Sequence, residues 1–272
     1  MKNNTKNFTR EHLLYLKKAR TRNILVHVTQ VGILLLILAI WELAAHLGWI
    51  DVFIMSCPSR IWLTLVEISQ GGTLWYHAGV STLETLAGFA IGTTLGYVIA
   101  VILWWNNFLK DVFEPYVVVL NSLPKIALGP IIIIWVGTGK AAIITMAVLI
   151  SVVITTITIL NGFAATDKEK ALLLRSMGAN RLQIFVKLVA PANVPTLMAT
   201  LKINVGMSWI GTIMGEYLAS KEGLGYLLVY GSQVFRLDLV MTCTIVLCAL
   251  AGIMYALVSV LERIVSKKYE RS

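Results

Sequence analysis

The sequence predicts an all-α membrane protein with six transmembrane helices. Three observations carry that reading. Hydrophobic residues make up 57% of the 272-residue chain and charged residues only 14%, with a mean hydropathy of +0.78. A soluble domain is nearer a quarter charged. The apolar runs exceed the roughly 20 residues that a spanning helix needs. They are also unbroken, without the strand-period alternation of a membrane β-barrel.

Residues 1–23 are polar and basic, with Lys2, Lys6, Arg10, Lys17, Lys18, Arg20 and Arg22. The stretch is too long and too charged for a typical signal peptide, and no small-residue cleavage site follows the first apolar run, so no cleavage is expected. The first span covers residues 24–47. The rest of the region 24–76 holds a Cys57-Pro58-Ser59 turn, an amphipathic piece over 60–69, and Gly71-Gly72. A core domain is expected over 77–264. Its first span starts near residue 74 or 78 and ends at 105. Gly88, Gly92 and Gly96 recur there every fourth residue, so they share one face and permit close helix approach.

The next span lies within 115–136 and is interrupted by Pro124 and by Gly129-Pro130. Proline removes a backbone donor and kinks a helix. Such a break is tolerated at membrane depth where it is buried in protein or lines a cavity. Further spans are expected over 141–163, 197–217 and 238–264, followed by a basic tail over 265–272.

Charge sets the orientation. With the N-terminus inside, most of the 23 Lys and Arg residues fall in inner segments. Only Arg60, Lys140, Lys221 and Arg236 fall in outer ones. Both termini and the loop after the fourth span are therefore expected in the cytoplasm of a bacterial cell membrane. The net charge of +9 is then mostly topological and implies neither nucleic acid nor any particular substrate.

Catalytic and metal chemistry find no footing. Cys57, Cys243 and Cys248 have no metal or redox spacing, and His12, His27, His46 and His77 are scattered. The run Gly137-Thr138-Gly139-Lys140 looks like the end of a phosphate loop. Ile134 and Ala141 stand where that loop needs Gly and Ser or Thr. ATP, if used, is expected to bind another chain, so no cofactor is assigned here. An enzyme would need a nucleophile with a base, or a metal cluster.

Residues 165–195 form the longest polar interruption in the second half of the chain. Thr166 with Glu169 reads as a capping box that starts a helix near Asp167. Gly178 suits the left-handed position that ends it. Asn180 with Gln183 reads as a second cap, and Pro191 as the close of the second helix. Leu172, Leu173, Leu174, Met177, Leu182, Phe185, Leu188 and Val189 make an apolar ridge flanked by Lys168, Lys170, Arg175, Arg181 and Lys187. Such a hairpin either lies on lipid headgroups or docks on a soluble partner.

Several stretches resemble permease subunits of importer-type ABC transporters. The family's cytoplasmic loop reads Glu-Ala-Ala, three residues, Gly, nine residues, Ile, one residue, Leu-Pro. Here the same register holds Leu172-Leu173-Leu174, Gly178, Leu188, and Ala190-Pro191. The Gly and Pro match. The triplet does not, and Leu-Pro has become Ala-Pro. Residues 121–139, NSLPKIALGPIIIIWVGTG, and 209–228, WIGTIMGEYLASKEGLGYLL, resemble the nitrate/sulfonate/taurine-type branch. Pro58 to Gly72, with Trp75 beyond, fits the region before the core domain in that branch.

This resemblance implies a type I ABC importer permease fold and a pathway for a small anionic or heteroaromatic solute. It implies two ABC ATPase subunits, a second permease copy and an extracytoplasmic solute-binding protein as partners, in a lipid membrane and without nucleic acid. Leu172, Leu173, Leu174, Arg175, Met177, Gly178, Phe185, Leu188 and Pro191 would couple to the ATPase. Leu172, Leu173, Met177 and Phe185 would be the buried knobs, while Arg175, Arg181 and Lys187 would meet acidic groups on the partner.

Ionisable groups within spans are functional hypotheses by default. Glu84, Lys125, Lys202 and Glu216 are the candidates. Lys202 can snorkel toward the inner surface, and Glu84 and Glu216 can be solvated near the outer one. Lys125, after Pro124 in the broken span, would either attract an anion or pair with a carboxylate. Asn121, Pro124, Asn204, Ser208, Trp209, Met214 and Glu216 complete the set of candidate pathway residues. A secondary transporter or channel would instead favour inverted repeats or midplane coupling carboxylates. The chain shows no convincing repeat.

Overall fold

The computed structural model describes residues 10–269. Lys2, Lys6 and Arg271 lie outside the described residues, as do the side chains of Arg10, Lys17, Arg20, Lys267 and Lys268. The helices in order are α1 (Arg10–His46), α2 (Val52–Met55), α3 (Pro58–Gln70), α4 (Thr73–Trp105) and α5 (Asn107–Ser122). A 3₁₀ turn (Lys125–Leu128) precedes α6 (Gly129–Val136) and α7 (Lys140–Ala164). The hairpin holds α8 (Lys168–Ser176), α9 (Arg181–Ile184), a π-helical turn (Phe185–Val189) and α10 (Ala190–Ala192). The chain ends with α11 (Val194–Ala219), α12 (Leu224–Gln233) and α13 (Leu237–Tyr269).

Four stretches, Ile24–His46, Thr73–Trp105, Lys140–Ala164 and Leu237–Val265, are long and apolar enough to cross a membrane. Two bent pairs raise the number among the described residues to six where each pair counts as one span. Asn107–Ser122 and Lys125–Val136 meet at 88°, at the break expected from Pro124. Arg181–Ala192 and Val194–Ala219 meet at 59°. The second bend lies where Pro191 is expected to close the hairpin's second helix. The helical run Arg181–Ala192, with its π-helical turn at Phe185–Val189, ends one residue after Pro191, and the chain turns at Asn193.

The chain divides into two compact units, residues 1–63 and 64–272. In the first, Glu42 of α1 accepts from Ser59 N (3.1 Å) and Ser59 Oγ (2.8 Å), satisfying an orphan amide at the start of α3 from a distant side chain. Asp51 caps α2 through Phe53 N at 2.8 Å.

The second unit is built on α4, α7 and α11. Their backbones approach closely because the contacts are small residues. A Cβ at Gly88 would lie 2.4 Å from Ala147 Cβ, one at Gly92 2.7 Å from Ser151 Cβ, and one at Gly96 2.5 Å from Thr155 Cβ. On the other side of α7, a Cβ at Gly211 would lie 2.5 Å from Ala147 Cα, and one at Gly215 2.8 Å from Ile143 Cα. Helices in lipid associate through such packing rather than through hydrophobicity. The four-residue glycine spacing read from the sequence is the α4–α7 seam.

Candidate functional site

At the hairpin, Asp167 caps α8 by accepting from Glu169 N (2.9 Å) and Lys170 N (3.2 Å). These bonds, that of Lys170 foremost, hold its carboxyl below the usual range. The cap is therefore Asp167 and not the Thr166–Glu169 box. Thr166 instead donates to Gly162 O (3.4 Å) and accepts from Asn193 Nδ2 (2.9 Å). Gly178 ends α8 at φ +85°, as expected, with Ala179 N returning to Leu174 O at 2.9 Å. The Asn180–Gln183 capping box is complete, at 2.8 Å in both directions.

The ridge side chains split into two groups. Leu172, Leu173 and Met177 are 67, 60 and 75% exposed. Leu174, Leu188 and Pro191 are half-buried, and Gly178 and Arg175 are exposed. Phe185 points the other way. Its ring lies 5.1 Å from Trp104 and 5.6 Å from Phe163. It belongs to the cluster of Ala100, Leu103, Ile159, Leu160, Phe163 and Val189. It packs the hairpin against the core and is half-buried, unlike the exposed ridge residues. Arg181 is exposed but is held back against α4. It donates to Trp104 O (3.2 Å) and Asn107 Oδ1 (3.3 Å) and lies 5.6 Å over the Trp104 ring, closing the C-terminus of α4. Between these two groups a cleft of about 320 Å³ is lined by Trp104, Lys168, Leu172, Arg175, Arg181 and Ile184.

The expected pathway residues do not form one site. Asn204 and Ser208 are fully buried. Asn204 Nδ2 donates to Thr93 Oγ1 (2.9 Å) and Thr155 Oγ1 (2.6 Å), and Ser208 Oγ pairs with Ser151 Oγ at 2.9 Å. They bind α4, α7 and α11 together, because a buried amide or hydroxyl in an apolar bundle must find a partner. Trp209 packs with Val205, Met254 and Val258, and with Met214 it edges an apolar groove of about 270 Å³ against Leu247, Cys248 and Ala251. Asn121, Pro124 and Lys125 stay together at the break between α5 and α6, on accessible surface. Lys125 Nζ donates to Asn121 O (3.0 Å) and lies 3.4 Å from Asn121 Oδ1. No carboxylate pairs with it among the described residues. Lys202 pairs with Glu262 of α13, a partner that the sequence reading did not supply.

Glu84 and Glu216 are not solvated. They are 4 and 1% exposed, enclosed at the opposite end of α4 from the hairpin. There the N-terminus of α12 has no cap from its own Gly223. Gly223 N donates to His77 Nδ1 (2.9 Å), Leu224 N to Ser81 Oγ (2.8 Å) and Gly225 N to Glu216 Oε2 (2.6 Å). His77, Ser81 and Glu84 are spaced four and three apart on one face of α4. That spacing was readable in the sequence, but the acceptors have meaning only beside Gly223-Leu224-Gly225. Nearby, Lys140, the lysine of the incomplete phosphate loop, pairs with Glu222 at 3.8 Å.

A family model described as "Binding-protein-dependent transport system inner membrane component" matches residues 92–271. The chain belongs to this family. A probable ABC transporter permease protein of Haemophilus influenzae is 29% identical over 225 residues, covering 83% of this chain and 90% of that one. A putative aliphatic sulfonates transport permease protein, SsuC, of Escherichia coli K12 is 26% identical, covering 84% of this permease and 87% of the relative. The taurine transport system permease protein TauC of the same organism is 22% identical over 86% of each chain. These relatives place the permease in the sulfonate/taurine-type branch. Among solved structures, the inward-facing MetNI methionine ABC transporter superposes with a TM-score of 0.62 at 19% identity, covering 71% of this chain and 97% of that one. The permease thus has the type I ABC importer fold, with several helices suited to membrane spanning.

Proposed function

We propose that this permease forms the membrane pathway of an ATP-driven importer for a small anionic or heteroaromatic solute, with residues 165–195 seating a separate ATPase. The carrying observation is the exposed triplet Leu172, Leu173 and Met177 on a hairpin that is otherwise rooted by Phe185 and Arg181. Large apolar side chains held outward on a rigid mount mark a docking surface. The hairpin and both termini face the cytoplasm of a bacterial cell, as the lysine and arginine distribution favours. A second permease copy completes the pathway, and a solute-binding protein delivers the solute from outside. One solved relative is the alginate ABC transporter in complex with an alginate-bound periplasmic protein, which supports that arrangement.

The solute class follows from relatives named for aliphatic sulfonates, taurine, formylaminopyrimidine and riboflavin. Lys125 supports the anionic branch, since it is a cation at a helix break with no carboxylate paired to it among the described residues. Lys125, Asn121 and Pro124 are the pathway residues we retain, and no ATP site is assigned to this chain. Co-expression with the ATPase encoded beside it should give a detergent-stable complex. Leu173→Asp and Gly178→Asp should each abolish that complex while the permease still inserts. A complex that survives both changes would remove the docking assignment.

A further inference from the structure

We propose that Glu84 and Glu216 form a proton-binding site, in which one proton held between the two carboxyls fastens the N-terminus of α12 to the transmembrane core. The inference is independent of the coupling role of the hairpin.

The two carboxyls come from different helices and lie within reach of a hydrogen bond to each other. Both are more than nine-tenths buried. Both oxygens of Glu84 and Oε1 of Glu216 find no donor in the surrounding protein. Ionised carboxylates are acceptors only, so two of them facing each other leave those oxygens unsatisfied. A single proton turns one carboxyl into a donor and supplies the missing bond. Like charges at this separation cannot both remain ionised in an apolar site.

The surroundings are built for one negative charge. Glu216 Oε2 takes the Gly225 amide, and the start of α12 carries roughly half a positive charge. That supports one carboxylate and leaves the second to be neutral. The neighbouring titratable groups supply no unopposed cation, since Lys140 and Glu222 act on Glu84 in opposite directions. On α4, His77 accepts at Nδ1 from Gly223 N and is therefore neutral, with Tyr76 beside it. At the start of α7, the charge of Lys140 is paired with Glu222, in the loop before α12. Tyr226 of α12 packs on His77, and Cys243 of α13 packs in the apolar cluster with Leu224.

A metal ion does not fit. Hard cations take six or more oxygens, whereas the two carboxyls supply four at most and Glu216 Oε2 is already taken by the Gly225 amide. No set of three or more metal-ligating side chains occurs among the described residues. The backbone also closes over the site. A Cβ at Gly223, which has φ +98°, would lie 2.3 Å from Glu216 Cδ. A Cβ at Gly225 would lie 2.8 Å from Glu216 Cβ. The two glycines of the Gly-Leu-Gly-Tyr stretch thus let the chain lie on the carboxyl, and a protonated pair is what it lies on.

The test is infrared spectroscopy of the full-length permease in lipid nanodiscs. At neutral pH, wild type should show one buried protonated carboxyl whose carbonyl band shifts in D₂O. Glu84→Gln and Glu216→Gln should each lose that band, because the remaining partner ionises and accepts from the new amide. Absence of the band in wild type, or its survival in either variant, overturns the proposal. So does its removal by added sodium, which would assign the site to a metal cation. Hydrogen exchange provides a second readout. As pH is raised until the band disappears, the protection of the Gly223, Leu224 and Gly225 amides relative to their intrinsic, base-catalysed exchange rates should fall in wild type, and in Glu84→Gln it should stay constant. Protection in wild type that is unchanged across the loss of the band removes the fastening role.

Discussion

Asn193 Nδ2 bridges Thr166 Oγ1 (2.9 Å) and Val189 O (2.8 Å), tying the point where the chain leaves α7 to the point where it enters α11. The fit is close, since a Cβ at Gly162 would lie 2.5 Å from Asn193 Oδ1. One buried amide therefore closes the hairpin at its root. Motion of the hairpin tip must then pass into the two longest-contacting helices of the core rather than into a slack loop. Asn193→Leu removes the donor to the half-buried Thr166 hydroxyl and the side-chain donor to Val189 O, which keeps the Asn193 backbone N–H, at a cost of about 1 kcal/mol. The expected outcome is faster hydrogen exchange over residues 165–195, with the spans unaffected, and loss of substrate-stimulated ATPase activity in the assembled transporter.

The exposed and internal residues of the hairpin should respond differently. Leu173→Asp or Met177→Asp should lower ATPase affinity by more than about tenfold, or ~1.4 kcal/mol, with no change in the permease's own melting temperature. Phe185→Ala should lower that melting temperature, since truncating a buried aromatic costs about 3–5 kcal/mol. Thermal unfolding in detergent beside a pull-down separates the two effects.

The α4–α7 seam predicts a graded series. Gly92→Ala places a methyl into Ser151 and the Val148 backbone, and overpacking of this kind costs about 1–3 kcal/mol. Gly79→Ala, which meets nothing within 4 Å, should be neutral or slightly stabilising. Ser208→Ala should cost only about 0.6 kcal/mol, the usual worth of an interhelical hydrogen bond in a membrane. Denaturation of the three variants in the same detergent checks the order.

Asp167 gives the hairpin a pH dependence with a definite sign. Its carboxyl is held low by the amides that it caps, so the cap is complete above the ordinary aspartate range and is lost as pH falls through the depressed folded value. Protection from hydrogen exchange over Lys168–Ser176, taken relative to the intrinsic rates, should be constant near neutrality and fall in acid. Asp167→Asn, which still caps, should remove most of that pH response.

Lys125 is the test of solute charge. Lys125→Gln should reduce uptake of an anionic solute by about tenfold or more, or ~1.4 kcal/mol. Asn121→Ala removes only a neighbouring acceptor and should matter less. Uptake measured in proteoliposomes with the matching binding protein decides between them, and equal uptake by wild type and Lys125→Gln would take Lys125 out of the pathway.

The residues that were legible in advance are those whose signal is local. Gly178 had to be left-handed wherever the hairpin went, Asn180 and Gln183 cap each other across a single turn, and Pro124 breaks its helix by its own chemistry. The apolar lengths of the spans and the four-residue glycine spacing are likewise properties of one helix at a time. The roles that sequence could not assign depend on what stands opposite. Asn204 and Ser208 look like pathway residues until Thr93, Thr155 and Ser151 are brought against them. Lys202 looks like a snorkelling lysine until Glu262 arrives from the last helix. Phe185 and Leu173 are both apolar ridge residues, and only packing on Trp104 and Phe163 turns one inward while the other stays out.

The sequence by itself therefore determined the membrane class, the positions of the spans and the existence of a capped hairpin, because hydropathy, glycine, proline and helix caps act over a few residues. The tertiary structure alone decided which polar groups are buried, which are paired and which are left for a partner. Burial and pairing are relations between segments as much as 169 residues apart, as between Glu67 and Arg236, and no local pattern records them.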